Sequence, residues 1–180
     1  MRRRAQNSST TARSGIGSSQ HLSGVYFEQV TGLELTHVPY RNIAQYVPDL
    51  IAGTVPLGFQ WLPNVNAPLQ SGDARALAVA ASKRMTALPD VPTAAEAGMK
   101  NYESSGWLGL LAPHGTPKPI IARLNEEVVA AIKDPQVAAK IVEQGAEGTS
   151  TTPEGLAKFI ASESVKWRNI IVKAGIPPIQ

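Results

Sequence analysis

A change of hydrophobic period at Pro113 divides this chain and leaves few folds open to it. Before that residue, strand-like runs alternate with helical stripes, and glycine or proline separates them. Leu22, Tyr26 and Val30 form one helical stripe from Ser19, flanked by Val25 and Gln29, and Gly32 closes it. Leu33 to Val38 alternates and is rich in β-formers, so it predicts a strand that stops before Pro39. A short helix within Ile43 to Ala52 follows, capped by Asn42, ended by Gly53 and bent or restarted by Pro48. "TVPLGFQ" predicts the next strand and "NAPLQSG" a short helix or turn. "ARALAVAAS" (Ala74 to Ser82) and "SGWLGLLAP" have the nearly continuous apolar character of strands buried in a parallel sheet. Between them, "LPDVPTAAEAG" is turn-rich, with a small helix after Pro92.

After Pro113 only helical periods remain. Ile121, Leu124, Val128 and Ala131/Ile132 share one face of a helix with proline in its first turn. Asp134–Pro135 starts a second helix, stopped by Gly145. Thr151 or Thr152 caps a third, whose apolar face is Leu156, Phe159/Ile160, Trp167 and Ile170/Ile171. No internal repeat is visible. The alternation predicts an α/β sandwich followed by a helical C-terminal section.

Composition narrows the chemistry. There is no cysteine among the 180 residues, which excludes disulfides, thiolate metal sites and cysteine nucleophiles. No apolar run approaches the roughly 18 residues of a membrane span. The net charge is +3, yet Arg2, Arg3, Arg4 and Arg13 alone exceed it, so the rest of the chain is slightly acidic. Residues 1–13 therefore read as a disordered basic tail. No apolar segment follows its arginines, so the tail is not an export signal. Its arginines lack interleaved aromatics, and nucleic acid is not an expected partner.

"SGIGSSQHLSG" carries the most local information. A dinucleotide fingerprint needs a third glycine where Gln20 stands and a buried strand upstream, where none is expected. A phosphate loop would need a Gly-Lys pair, and a hydrolase elbow a G-x-S-x-G; both are absent. Two readings stay open. The turn is an anion site built from first-turn amides, or it is plain N-capping by Ser18 or Ser19. A serine hydrolase using Ser18 or Ser19 with His21 is a remote third, because no acid stands where it could orient the imidazole. His21 and the strand residue His37 read as packing histidines.

Six fragments carry a resemblance: "SGIGSSQHLSG", "THVPYRN", "PDLIAGTVPLGFQWLPN", "ARALAVAASKRMTALPDVPTAAEAG", "SGWLGLLAPHGTPKPIIARLN" and "GAEGTSTTPEGLAKFIASE". In this order and at these intervals, from Ser14 nearly to the end, the chain resembles the substrate-binding receptors of tripartite tricarboxylate transporters, the Bug family of periplasmic solute receptors. The resemblance implies a non-enzymatic protein without cofactor or metal. Such a receptor has two α/β lobes of the periplasmic-binding-protein type II kind, captures a small carboxylate in the cleft and presents it to a membrane permease. It also implies a periplasmic location, although a chain lacking a signal would remain cytoplasmic.

Carried onto this sequence, the family's ligand turn falls on Ser14, Gly15, Gly17, Ser18 and Ser19. The turn after the next strand falls on Tyr40, Arg41 and Asn42, with Asn42 where relatives carry glycine. Gln60 and Trp61 stand where many relatives have an Asp-Asn pair, which turns ligand choice away from amines and toward purely anionic molecules. The resemblance further implies that the first lobe is largely missing. Residues 14–112 then form the ligand-binding lobe. Residues 113–180 form helices that would pack on the absent one, exposing apolar surface open to self-association. A truncated remnant that binds nothing is the alternative.

Overall fold

The computed structural model describes residues 9–14, 17–40 and 42–177, with side-chain surroundings described from residue 17 onward except at 43. Its order is β1 (Ser9–Ser14), α1 (Ser19–Thr31), β2 (Leu35–Tyr40), α2 (Ile43–Ile51), β3 (Leu57–Gly58), α3 (Leu62–Ser71), α4 (Lys118–Lys133), α5 (Pro135–Glu143) and α6 (Pro153–Lys173). The sheet is parallel with strand order β2-β1-β3. Ser9 to Ser14 pair in register with Leu35 to Tyr40 on one side, and Thr11 and Ala12 pair with Leu57 and Gly58 on the other.

The central strand is the first correction. Residues 9–13 belong to the stretch expected to be a disordered tail, yet they run through the middle of the sheet. Composition misleads here because "STTARS" is polar. A strand flanked on both sides satisfies its backbone through its neighbours, and the two threonines are β-branched residues that suit an extended backbone. The strand said to be missing upstream of the glycine turn therefore exists. The dinucleotide fingerprint still fails, since Gln20 occupies its third glycine position.

β2 does not stop before Pro39 but runs through it to Tyr40. As an edge strand it has one side without a ladder partner, where a residue lacking an amide hydrogen is tolerated. β3 shrinks to two residues of the expected "TVPLGFQ" run. α3 starts four residues before the expected "NAPLQSG", at Leu62, with Pro63 in its first turn.

The two apolar runs expected as buried strands form no ladder. Residues 74–82 contribute a single parallel bridge, Val79 to Thr93. The Val79 amide donates to the Pro92 carbonyl (2.9 Å), the Ala94 amide to the Val79 carbonyl (2.8 Å) and the Ser104 amide to the Ala80 carbonyl (2.8 Å). Residues 105–112 belong to no helix or strand and are largely exposed: Leu108 has no cover at all, and Leu110 and Leu111 little. The small helix expected after Pro92 is a turn instead. Thr93 and Glu96 cap one another there, the Thr93 amide donating to Glu96 Oε2 (2.7 Å) and the Glu96 amide to Thr93 Oγ1 (3.1 Å), with no helix behind them.

The C-terminal helices form where the periodicity put them. Asp134 caps α5 by accepting from the Gln136 and Val137 amides, and Thr152 caps α6 by accepting from Gly155. α6 lies on α1: Gln29 Nε2 donates to the Ile170 carbonyl (2.9 Å), Ile170 is buried, and Trp167 meets Tyr26 edge-on. Much of the remaining apolar surface of these helices, including Ile120, Leu124, Phe159, Val165 and Val172, faces outward.

Two small clusters of side chains hold the sheet and its helices together. Tyr46 and Val55 are buried to 2% and 1% exposure, with Tyr40, Val47, Leu50 and Val65 packed around them. Against α1, Tyr26, Phe27, Phe59 and Tyr102 form a chain of ring contacts at 5.4 to 6.5 Å. Tyr102 Oη donates to the Ser23 carbonyl, and the Ser23 and Ser104 hydroxyls meet at 2.6 Å, so the segment after residue 100 is stitched to α1.

Candidate functional site

In a parallel sheet every strand ends at the same edge, and every following helix begins there. Ser14 pairs with Tyr40, while Gln60 lies two residues past Gly58 just as Ser14 lies two past its partner Ala12. The turns β1–α1, β2–α2 and β3–α3 therefore open side by side. β1 sits between a neighbour added on one side and a neighbour added on the other. This reversal of strand order is where ligands of open α/β sheets bind. The topology thus brings together all three sequence-predicted segments.

The β1–α1 turn is the central one. Gly17 has φ 83°, a left-handed conformation that glycine adopts without the steric cost of a side chain. Ser18 is the N-cap: its Oγ accepts from the His21 amide (3.2 Å), and its carbonyl accepts from Leu22 (2.9 Å). The Gly17 amide donates to His21 Nδ1 (3.3 Å). Capping is therefore real, and it consumes two donors at this turn. Among the described residues, the amides of Ser19 and Gln20 have no protein acceptor. Ser19 is exposed, its hydroxyl donating to Gln20 Oε1 (3.1 Å). The first turn of α1 holds no acid, so the positive end of the helix is uncompensated.

In the second turn, Asn42 caps α2, its Oδ1 accepting from the Ala44 amide (2.9 Å), which leaves its amino group to donate elsewhere. Tyr40 is committed inward. Its hydroxyl donates to Asp49 Oδ2 (2.6 Å) and its ring meets Tyr46 edge-on. The bond to Asp49, helped by burial, pushes the Tyr40 phenol up to about 12. In the third turn, Gln60 Oε1 accepts from Asn64 Nδ2 (3.2 Å). Trp61 precedes α3 and lays its ring against Gly106, where any side chain would collide with it. Gly15 and Arg41 lie outside the described residues, as does the side chain of Ser14, whose backbone ends β1.

His21 is buried to 7% exposure and packs on His37 with ring centroids 4.7 Å apart. Ser18 Oγ meets the main-chain amide of His21 and not its ring, and the Nδ1 atom faces Gly17. No serine–imidazole pair of the hydrolase kind is recorded among the described residues. A hollow of about 400 Å³ lies against these histidines, lined also by Val25, Glu28 and Lys173. None of the expected ligand residues lines it. Among the described residues, no cluster of three or more histidine or acidic side chains could hold a metal, and no helix is long and apolar enough to cross a membrane.

Two contributors escaped the sequence reading. Asp49 fixes Tyr40, and its only signal was a place nine residues downstream, at the far end of a nine-residue helix. His21 closes the glycine turn, and its signal was a hydrogen-bonding residue three positions after a serine cap.

The pattern of the tripartite tricarboxylate transporter family receptor matches residues 3–176. That span includes most of the stretch expected to be a disordered basic tail. Protein BugT of Bordetella pertussis is 34% identical over 164 residues, which is 91% of this chain and 50% of that protein. Among solved structures, R. palustris Rpa4515 with adipate is 36% identical with a TM-score of 0.78, covering 94% of this chain and 57% of its own. MatC from Rhodopseudomonas palustris with bound malate is 30% identical with a TM-score of 0.70, covering 90% and 56%. The chain spans about half the length of curated relatives such as these.

Proposed function

Since the chain belongs to the tripartite tricarboxylate transporter receptor family, we propose that it is a solute-receptor lobe that binds a small organic carboxylate and serves a membrane permease from the periplasm. The observation that carries this reading is the meeting of three strand-to-helix turns at the reversal point of the sheet, with the acid-free end of α1 in the middle. The Ser19 and Gln20 amides supply donors, and Asn42 and Gln60 flank them from the neighbouring turns. A helix N-terminus holds a carboxylate without metal or covalent chemistry, because its first amides lack helical partners and its dipole favours negative charge. Adipate and malate are the ligands of two solved relatives, and both are dicarboxylates. The absence of an acid at Gln60 disfavours a ligand ammonium group and leaves a purely anionic molecule as the better match.

Two or three charge-assisted hydrogen bonds at about 1.5–3 kcal/mol each, reduced by the cost of association, give a millimolar dissociation constant for this lobe alone. Amide chemical shifts titrated with malate, adipate and, as controls, their dimethyl esters provide the test. The free acids should move the Ser19 and Gln20 signals with a millimolar midpoint, and the esters should not. Shifts confined to other parts of the chain, or equal shifts with the esters, remove the assignment.

A further inference from the structure

Helix N-termini are commonly closed by a reciprocal box. The capping serine accepts from the amide three residues on, and a glutamate or glutamine at that third position accepts from an amide before the helix. α1 has this box with a different third member. Ser18 Oγ takes the His21 amide at 3.2 Å, and His21 Nδ1 takes the Gly17 amide at 3.3 Å. An imidazole nitrogen that accepts carries no proton, so the ring closing this box is neutral. A glutamate there would close it equally well, but would place a full negative charge within the first turn, beside the amides of Ser19 and Gln20.

We propose that His21 is a positioning and specificity-determining residue of the carboxylate site: it closes the Gly17–Ser18 turn as an uncharged acceptor, so that the turn is held in shape without an anion of its own. The inference deepens the carboxylate reading above and rests on it for its second half. Three features agree. Gly17 is in the left-handed conformation that points its amide toward the ring. His21 is buried against His37, which fixes the ring in place. No acid occupies the first turn of α1, so that turn carries no carboxylate of its own. The ring does not touch the ligand; it acts through the backbone of Gly17 and Ser18.

The experiment uses the full chain with substitutions at two positions. His21→Gln restores a neutral acceptor, His21→Glu a charged one, and His21→Ala none. Gln20→Glu adds a charge to the same turn without entering the box, and serves if a buried glutamate prevents folding. Two readouts are taken by nuclear magnetic resonance: hydrogen-exchange protection of the Gly17 amide without ligand, and the malate dissociation constant. Protection should survive in His21→Gln and Gln20→Glu and fall by roughly tenfold in His21→Ala, as expected for one lost hydrogen bond of about 1.4 kcal/mol. Malate affinity should stay within about twofold of the parent in His21→Gln and weaken by roughly fivefold to tenfold in His21→Glu or Gln20→Glu, in line with a like charge at the helix end. Unchanged Gly17 protection in His21→Ala overturns the positioning role. Unchanged malate affinity in both charged variants overturns the specificity role. If the parent chain binds no malate, the carboxylate reading and the specificity half fall together, while the exchange data still decide the positioning half.

Discussion

Residues 9–14 and residues 105–112 make an instructive pair. The first stretch, "STTARS", is almost devoid of apolar side chains and yet forms the central strand of the sheet. The second, "SGWLGLLA", is largely apolar and lies unpaired with its leucines in solvent. Hydrophobicity would rank them the other way round. What separates them is the availability of partners. β1 has β2 on one side and β3 on the other, whereas no segment among the described residues offers the second stretch a ladder. An apolar run signals a buried strand only when something is present to bury it.

The harshest way to break this contrast is to remove the pairing that defines β1. Thr11 faces His37 on one side and Leu57 on the other. Thr11→Pro should cost about 3 kcal/mol or more and abolish cooperative unfolding followed by circular dichroism. A variant with an unaltered transition would show that the central strand contributes little. The next effect in size probes the other end of the same ladder. A side chain at Gly58 would run into the Tyr46 hydroxyl beneath β3, so Gly58→Val should lower stability by about 1–3 kcal/mol, read as a shift in the urea midpoint.

Smaller again is the loss of the Tyr40–Asp49 bond. Tyr40→Phe should cost about 1 kcal/mol at neutral pH. The Tyr40 and Tyr46 phenols, ordinarily near 10, are both pushed up to about 12, by the Asp49 bond and by burial respectively. Folding therefore favours their protonated forms. The resulting stabilisation is complete below pH 10 and is lost as pH rises toward 12, and Tyr40→Phe should flatten that alkaline fall without removing the share owed to Tyr46. The smallest effect on stability sharpens the comparison most. Leu108→Lys with Leu111→Lys, at two leucines whose side chains lie largely in solvent, should change stability by less than about 0.5 kcal/mol and reduce self-association in sedimentation experiments. A loss above about 1.5 kcal/mol would place those leucines in a core after all.

The same contrast explains what was legible in the sequence. Caps were readable because they are local: Ser18, Asn42, Asp134 and Thr152 bond to amides two or three residues away, and Gly32 ends α1 within one turn. The helices after Pro113 were readable because a period repeated over many residues is a strong signal. The identity of the central strand, the shortness of β3 and the solitude of residues 105–112 were not, because each depends on residues far away in the chain. The candidate site divides in the same way. The glycine-serine turn announced itself, whereas the inward commitment of Tyr40 required the placement of α2 to be known, and the local closure of Gly17 by His21 was missed because histidine is not the usual third member of a capping box.

That the central strand precedes both of its partners in the chain has a consequence for how the sheet is assembled. A ribosome delivers residues 9–14 before either partner strand, and their pairing groups meet those partners only when residue 40 has emerged for one flank and residue 58 for the other. Ordering of β1 is therefore the last gain of a closure about fifty residues long and not its seed, so the amides of β1 should acquire protection in step with those of β3.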